Sequence, residues 1–390
     1  MSASRAALLL AALAAAGAVT SGEVAPGAAA GDVALGRTLF NQHWVSAAIG
    51  GNARGLGPLF NAASCDACHN GGAGGLGPAA EGVLPQAVVV QLEQPARAGE
   101  AEPPGDPIYG HVLNTQATAG VEPEGVVSVT YSEIYGYYYP EGTRWQMRAP
   151  HYRIAELTRG ALATDTIVKP RLAPPLYGVG LLEAVPGARF GWQGAAGSLR
   201  DQTTRALARD MGLTSSERPR DDCTAVEADC EREALGYATE VSREQVDALV
   251  AYLRSIEVPP SAARTARQAP GARLFASTGC ANCHLPQLPA AAAGAPLAAY
   301  TDLRLHDLGR DMEDENVAGA RVPSRWRTAP LWGLAARLHS GGALFLHDGR
   351  ARSVEEAVLW HAGEAEAARR NFVNLLGRSR EQLLRWLESL

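Results

Sequence analysis

Apolar residues recur every three to four positions in three segments of the chain, which is the period of an amphipathic helix. The first segment opens with Ser242-x-x-Gln245, a capping box in which both side chains bond backbone N–H groups at the helix start. Pro259 and Pro260 end the pattern, because proline cannot continue a helix. The face that we expect to be buried carries Val246, Leu249, Val250, Leu253 and Ile256.

Two further helices are predicted near the C-terminus. One begins at Ser353-x-x-Glu356, and the last begins at Ser379-x-x-Gln382. The inward face of the first combines Val354, Ala357, Val358 and His361. The inward face of the second combines Leu383, Leu387 and Leu390.

A different pattern fills the segment between residues 69 and 171. Residues 87–92 and 126–135 are rich in β-branched and aromatic side chains, and Pro/Gly-rich turns such as residues 102–105 bound them. This segment therefore predicts a small β insert in an otherwise helical body.

The six cysteines form three pairs, and two of the pairs lie in C-x-x-C-H motifs. In such a motif two thiols a short turn apart add to the two vinyl groups of one porphyrin, and the histidine lies under the iron. A zinc site would need further ligands nearby, and a redox-active C-x-x-C pair would not require a histidine. We therefore predict two covalently bound c-type haems, attached and ligated by Cys65, Cys68 and His69 and by Cys280, Cys283 and His284.

The third pair, Cys223 and Cys230, lies in a polar segment without histidine. In an oxidising compartment a local disulfide is the expected outcome.

Repeated segments in the sequence indicate an internal duplication. Residues 36–40 precede the first motif and residues 271–275 precede the second with a similar sequence, and residues 171–178 resemble residues 327–333. We expect a mainly α fold of two tandem cytochrome c-like modules with a small β insert in the first. The predicted boundaries are a signal peptide at 1–30, an N-terminal haem module at 31–240, a linker helix at 241–268 and a C-terminal haem module at 269–390.

The N-terminus and the composition indicate the compartment. Arg5 precedes a short Ala/Leu-rich stretch that is too short to span a bilayer, which is typical of a cleaved secretory signal and predicts an exported, periplasmic protein without a membrane span. The alternative is a buried Ala-rich helix. A net charge of -6 without a basic run excludes nucleic acid as an expected partner.

His361 has two interpretations from periodicity alone. A histidine on an apolar helix face is either a satisfied core histidine or a ligand of the second haem.

A resemblance bears on this choice. The segment His347-Asp348-Gly349 with Glu355-Glu356-Ala357-Val358 resembles the signature of bacterial di-haem cytochrome c peroxidases. Longer matches, among them residues 59–65, 178–184, 190–192 and 359–365, are similar to the related di-haem oxidoreductase family of peroxidase-like proteins. In that superfamily the residue fourteen positions after the signature histidine, usually Met, is the distal ligand of the C-terminal haem, and here it is His361.

The resemblance implies an enzyme in which the C-terminal haem relays electrons and the N-terminal haem reduces peroxide. A small redox protein, either a cytochrome or a cupredoxin, would donate the electrons. Ligation by His284 and His361 would leave the second haem at a lower potential than a His/Met pair, which puts a high-potential cytochrome donor in doubt. The alternatives are a non-enzymatic electron carrier and an oxidase that uses peroxide to modify a partner protein.

The first haem lacks an evident sixth ligand, because residues 70–75 contain neither His nor Met where the peroxidases carry a displaceable histidine. An open or water-bound iron is therefore expected. The remaining candidates, each more typical of a surface or structural residue, are His43, His111, His151 and Met147.

Peroxide cleavage also needs a group that moves a proton between the two oxygens. Glu183 is the predicted catalytic residue, since the apolar run 179–182 before it would desolvate its carboxyl group. A carboxylate in a salt bridge at a helix end is the alternative. Trp192 is a candidate electron carrier.

Overall fold

The computed structural model describes residues 30–46, 54–77, 82–97, 99, 102–234, 239–261, 269–288 and 296–390. The predicted signal peptide lies outside these residues apart from its last position. The helices are α1 (Ala30–Asn41), α2 (Asp66–His69), α3 (Val179–Glu183), α4 (Leu199–Asp210), α5 (Ala228–Ala234), α6 (Arg243–Ser255), α7 (Ala269–Thr278), α8 (Leu334–His339), α9 (Val354–Leu359), α10 (Glu366–Val373) and α11 (Gly377–Leu387). The strands are β1 (Val45–Ser46), β2 (Arg54–Leu56), β3 (Leu59–Phe60), β4 (Val88–Glu93), β5 (Val112–Leu113), β6 (Gln116–Ala117), β7 (Val126–Tyr138), β8 (Arg144–Ala155), β9 (Ile167–Leu172), β10 (Leu305–His306), β11 (Asp314–Asn316), β12 (Arg321–Val322) and β13 (Trp326–Arg327).

The predicted helix starts are largely present. At α6 the Ser242 hydroxyl accepts from the backbone N–H of Gln245, and the Gln245 side chain accepts from the backbone N–H of Ser242. Ser353 caps α9 through the N–H of Glu356. The last helix begins at Gly377, two residues before the predicted cap at Ser379.

Each half of the chain packs one helix pair around a glycine. Gly36 in α1 faces α6, where an added Cβ atom would overlap the carbonyl oxygen of Ala248. Gly271 in α7 faces α11, where an added Cβ would overlap the side chain of Trp386. The absent side chain therefore lets each helix pair pack at close distance. α7 lies directly before the second C-x-x-C-H motif, whereas β1, β2 and β3 separate α1 from the first.

The expected mainly α fold is wrong. The chain is 32% helix and 20% strand, a mixed α/β fold with a five-stranded sheet. The sheet has the order β12-β11-β9-β4-β5, so strands from residues 88–172 and from residues 314–322 share it. The sheet is therefore not an insert confined to the first half.

The physical reason lies in strand length and pairing. β11 and β12 have three and two residues, too few for an apolar alternation to be visible. β11 adds to the edge of β9, and β12 adds to β11. Several helices are also only one or two turns long, such as α2 and α3. For the hairpin β7–β8, in contrast, the sequence pattern predicts the first strand, at residues 126–135, but not its partner β8.

A buried ion pair links the central strand to the second half of the chain. Arg171 in β9 donates from Nη1 and Nη2 to the two carboxylate oxygens of Asp314 in β11, at 2.8 and 2.7 Å. Both residues are 5% exposed. Burial alone would raise the pKa of Asp314, but the charge and hydrogen bonds of Arg171 hold that pKa at about 2.

We predict that Asp314→Asn lowers the free energy of unfolding by about 3–5 kcal/mol, because it leaves a buried guanidinium without its counter-charge. Since the pKa of Asp314 is lower in the folded state, its contribution is present above pH ~4 and is lost as pH falls toward 2. Urea unfolding followed by circular dichroism at several pH values measures both effects. Glu381→Gln, which removes the exposed pair with Arg385, is the control and should cost less than about 1 kcal/mol. Equal losses in the two variants would contradict this assignment.

Candidate functional site

The first C-x-x-C-H motif folds as a single helical turn. The N–H groups of Cys68 and His69 donate to the carbonyl oxygen of Cys65 at 3.2 and 3.1 Å, which brings both cysteines and the histidine to one side of α2. Neither cysteine is in a disulfide. Burial, and then the charge of Asp210, raises the pKa of each thiol to about 12, whereas a redox-active C-x-x-C pair needs a low thiol pKa.

These three residues line a cavity of about 470 Å³, a size typical of ligand pockets. One wall is helical and includes Phe40, Leu249 and Leu253 from α1 and α6. The sheet forms another part of the wall. Its lining residues are Val89, Gln91, Leu92 and Glu93 of β4 and Lys169, Arg171 and Leu172 of β9.

The cavity is rich in positive charge although the chain as a whole is acidic. Three carboxyl groups line it, those of Glu93, Glu102 and Asp210. Six cationic side chains line it, those of Lys169, Arg171, Arg189, Arg205, Arg209 and Arg327.

Arg327 shows what such a cavity can hold. Its Nε donates to the carbonyl oxygen of Gly191 at 3.1 Å, while its buried Nη1 has no hydrogen-bond partner among the residues that the structure describes. Burial lowers the pKa of Arg327 to about 10. An unpaired buried guanidinium is costly, and a bound carboxylate would satisfy it. Two thiols, an imidazole and an unsatisfied cation fit a haem, whose propionate groups are anionic.

At the second motif, His284 lies opposite His361, which follows α9. The rings of His284 and His361 face each other with centroids 6.4 Å apart and an interplanar angle of 50°. Two imidazoles bound to opposite sides of one metal ion, each at about 2 Å from nitrogen to metal, have centroids roughly 6.3 Å apart. Burial lowers the pKa of both rings, that of His284 to about 4, so both stay neutral as metal ligands must.

All three predicted iron-binding histidines are oriented in the same way. The Nδ1 atoms of His69, His284 and His361 lie 3.0, 3.0 and 2.7 Å from the backbone carbonyl oxygens of Pro174, Tyr300 and Ala357. A carbonyl accepts the hydrogen on Nδ1 and leaves the lone pair on Nε2 for a metal, the usual arrangement of ligating histidines.

An internal repeat relates residues 178–206 to residues 333–361 at a constant offset of 155 residues. Gly178 and Gly333 have positive φ of 64° and 71° and precede α3 and α8. The bridge between Phe190 and Ala196 recurs between Phe345 and Ala351. The caps Ser198 and Ser353 then open α4 and α9.

At this offset the residue equivalent to His361 is Ala206, which lines the first cavity. Sequence reasoning missed this position, although the spacing was visible along the chain.

The structure does not bring every predicted residue to the cavity. Glu183 ends α3 and is absent from the described cavity lining; its Oε2 accepts from Arg254 Nε at 2.7 Å. Its catalytic role stays a prediction. His43 is exposed, and His151 pairs with Ser132 on the hairpin at 2.7 Å. Met147 is buried on the hairpin.

Other expectations have clearer outcomes. Cys223 and Cys230 form a disulfide. Among the described residues, no further His, Cys, Asp or Glu joins the first motif in a zinc-type group. Within the same residues, no helix is both long and apolar enough to cross a bilayer.

No curated protein sequence matches the chain. Among solved structures, the hydrazine synthase of Kuenenia stuttgartiensis is 17% identical, with a TM-score of 0.37 over 57% of this chain and 73% of the other. A MauG-like protein associated with microbial copper homeostasis is 18% identical, with a TM-score of 0.34 over 60% of this chain and 75% of the other.

A family model covers more than half of the sequence. It matches residues 180–390 and is described as "Di-haem oxidoreductase, putative peroxidase". The chain therefore belongs to the di-haem oxidoreductase family.

Proposed function

We propose that this protein is an exported, periplasmic di-haem enzyme that reduces hydrogen peroxide at its N-terminal haem. Membership of the family implies an oxidoreductase with two haem groups. When bound, these groups supply one-electron redox chemistry at their irons. In the proposal Cys65, Cys68 and His69 hold the first haem covalently, and Cys280, Cys283 and His284 hold the second.

The observation that carries the proposal is Ala206. The internal repeat provides His361 at one site and a methyl group at the equivalent position of the other. A methyl group cannot ligate a metal, so the sixth position of the first iron stays open to a small molecule. The same comparison supports His361 as the sixth ligand of the second iron.

The remaining roles follow from this asymmetry. A site closed by two imidazoles suits electron transfer, at a lower potential than a His/Met site. Trp192 lines the first cavity and packs against the hydrophobic core of the second half, which supports it as an electron path between the sites. A small redox protein, either a cytochrome or a cupredoxin, is the proposed donor. The disulfide between Cys223 and Cys230 supports an oxidising compartment.

Haem attachment can be tested directly. Mass spectrometry of the exported protein should show two haems per chain and loss of the signal segment. Replacing Cys65 and Cys68 with Ala should remove one haem, and replacing Cys280 and Cys283 should remove the other. The control replaces Cys223 and Cys230, the disulfide pair, and should retain both haems. One haem in the native protein, or bound zinc, would refute the proposal.

Ala206 is tested by adding the missing ligand. Ala206→His should convert a high-spin N-terminal haem into a low-spin haem that no longer binds cyanide or reduces peroxide, because an imidazole then fills the sixth position. Electron paramagnetic resonance and cyanide titration measure this change. Ala206→Leu adds bulk without a ligand and should keep the high-spin signal. A native N-terminal haem that is already low-spin and inert would favour an electron carrier instead.

His361 is tested by the reverse change. His361→Ala should make the C-terminal haem high-spin and leave the N-terminal haem unchanged, since one iron loses an imidazole. His361→Met should restore six-coordination and raise the potential, because a thioether stabilises ferrous iron relative to imidazole. His339→Ala is the control, since His339 makes the same Nδ1 contact to a carbonyl four residues earlier but is exposed. An unchanged spin state and potential would make His361 a core histidine.

A further inference from the structure

We propose that His111, oriented by Asp222, transfers the proton during peroxide cleavage in the N-terminal cavity; this inference rests on the proposed function. His111 lies directly before β5 and lines the same cavity as Cys65, Cys68 and His69. Its side chain is 29% exposed, so the ring lies between the cavity and solvent and can exchange protons with water.

The carboxylate of Asp222 binds both the backbone and the ring of His111. Asp222 accepts from the ring Nδ1 through Oδ1 and from the backbone N–H through Oδ2, each at 2.7 Å. Because a carboxylate only accepts, Nδ1 carries the hydrogen of the neutral ring and Nε2 keeps its lone pair. Within the described part of the chain, Nε2 has no hydrogen-bond partner. A base oriented by a carboxylate with its second nitrogen free is the arrangement that general acid–base catalysis requires.

Two constrained loops hold this pair in place. Asp222 directly precedes Cys223 of the disulfide, and Thr224 in the disulfide loop donates its hydroxyl to the carbonyl oxygen of Ile108 at 2.6 Å. Gly110 has a φ of +67°, and a Cβ atom there would lie 2.6 Å from the carbonyl oxygen of Asp222. Only glycine therefore allows the two loops to approach so closely. This rigidity distinguishes His111 from an ordinary surface histidine.

Two of the three carboxyl groups that line the cavity, those of Glu93 and Glu102, are already paired with cations and are less suited to move a proton. Glu93 is paired with Lys169 at 2.5 Å. Glu102 lies among Arg205, Arg209 and Arg218, which together hold its pKa below the usual value despite its burial.

Asp210 is the third of these carboxyl groups. Burial raises the pKa of Asp210 to about 7, and its charge acts on Cys65 and Cys68, which places it beside the haem attachment points. Apart from His69, which is proposed to bind the iron, His111 combines an acceptor nitrogen that has no partner among the described residues with a carboxylate that orients its ring.

The proposed step balances as follows. His111 Nε2 accepts the proton from one peroxide oxygen and returns it to the other, so that the O–O bond breaks and the leaving oxygen departs as water. With haem bound, two electrons from the reduced donor protein and two protons from solvent would convert the remaining oxygen to a second water. His111 returns the proton that it accepts, so its own proton count does not change over the step.

The experiment compares His111→Gln with the native protein in full-length, haem-loaded form. We expect peroxide reduction to slow by about 10²–10⁴-fold. The association rate of hydrogen cyanide, which must lose a proton to bind iron, should fall in parallel while both haem spectra stay unchanged. Added imidazole should restore part of both rates in His111→Gly. Asp222→Asn, a positioning variant, should lower both rates by permitting the wrong ring tautomer. His151→Gln, on the hairpin, is the matched control.

Three results would overturn the inference. Unchanged rates in His111→Gln would remove His111 from the reaction. A change in the spin state of the N-terminal haem would show that His111 is an iron ligand. A loss confined to Glu183→Gln or Asp210→Asn would assign proton transfer to that carboxyl group. If the native protein itself fails to bind cyanide or to reduce peroxide, the proposed function fails, and this is distinguishable from a defect limited to His111→Gln.

Discussion

The hydrogen bonding of β9 on both of its edges is the constraint on which both sites depend. β4 pairs with one edge and β11 with the other, so residues distant along the chain meet in one sheet. The strand leads directly to Pro174, whose carbonyl oxygen orients His69. The backbone of Leu172, its last residue, donates to the carbonyl of His347 and accepts from Trp192 Nε1. The first cavity and the turn before the second site are therefore tied to one strand.

This constraint explains why the ion pair between Arg171 and Asp314 is buried. Taking two charges out of water is unfavourable unless the geometry is good and the remaining hydrogen bonds are made. Here the Nη1 and Nη2 atoms of Arg171 both donate to the carboxylate of Asp314, and the Ser324 hydroxyl donates a third hydrogen bond to it. The pair fixes β11 against β9, and the same Arg171 lines the haem cavity.

The repeated scaffold carries different residues at equivalent positions of its two halves. Both halves contain a glycine at a helix contact, a backbone carbonyl close to Nδ1 of the motif histidine, and a serine cap at the start of α4 or α9. At the offset of 155 residues His361 corresponds to Ala206, so one position carries an imidazole and its equivalent carries a methyl group. Positive charge also collects around the first cavity, although the chain carries a net charge of -6. Such charge favours the anionic edge of a haem.

The sequence by itself determined the local chemistry of this protein. The two C-x-x-C-H motifs, the capping boxes at Ser242 and Ser353 and the Cys223–Cys230 pair depend on residues close together along the chain, so their spacing was sufficient to predict them. The approach of His361 to His284 was anticipated from a resemblance and from helical period, both readable in one dimension.

Only the tertiary structure decided which distant residues share a cavity. β11 and β12 are too short to show a periodic pattern. They form because β11 pairs with the edge of β9 and β12 pairs with β11, and the fold is therefore mixed α/β rather than mainly α. The apolar run before Glu183 predicted a desolvated carboxyl group, but in the fold this carboxylate binds Arg254. No sequence pattern marked His111, whose ring is bound by Asp222 from the segment beside the disulfide. Burial and partner choice depend on contacts between segments far apart along the chain, and no local pattern records them.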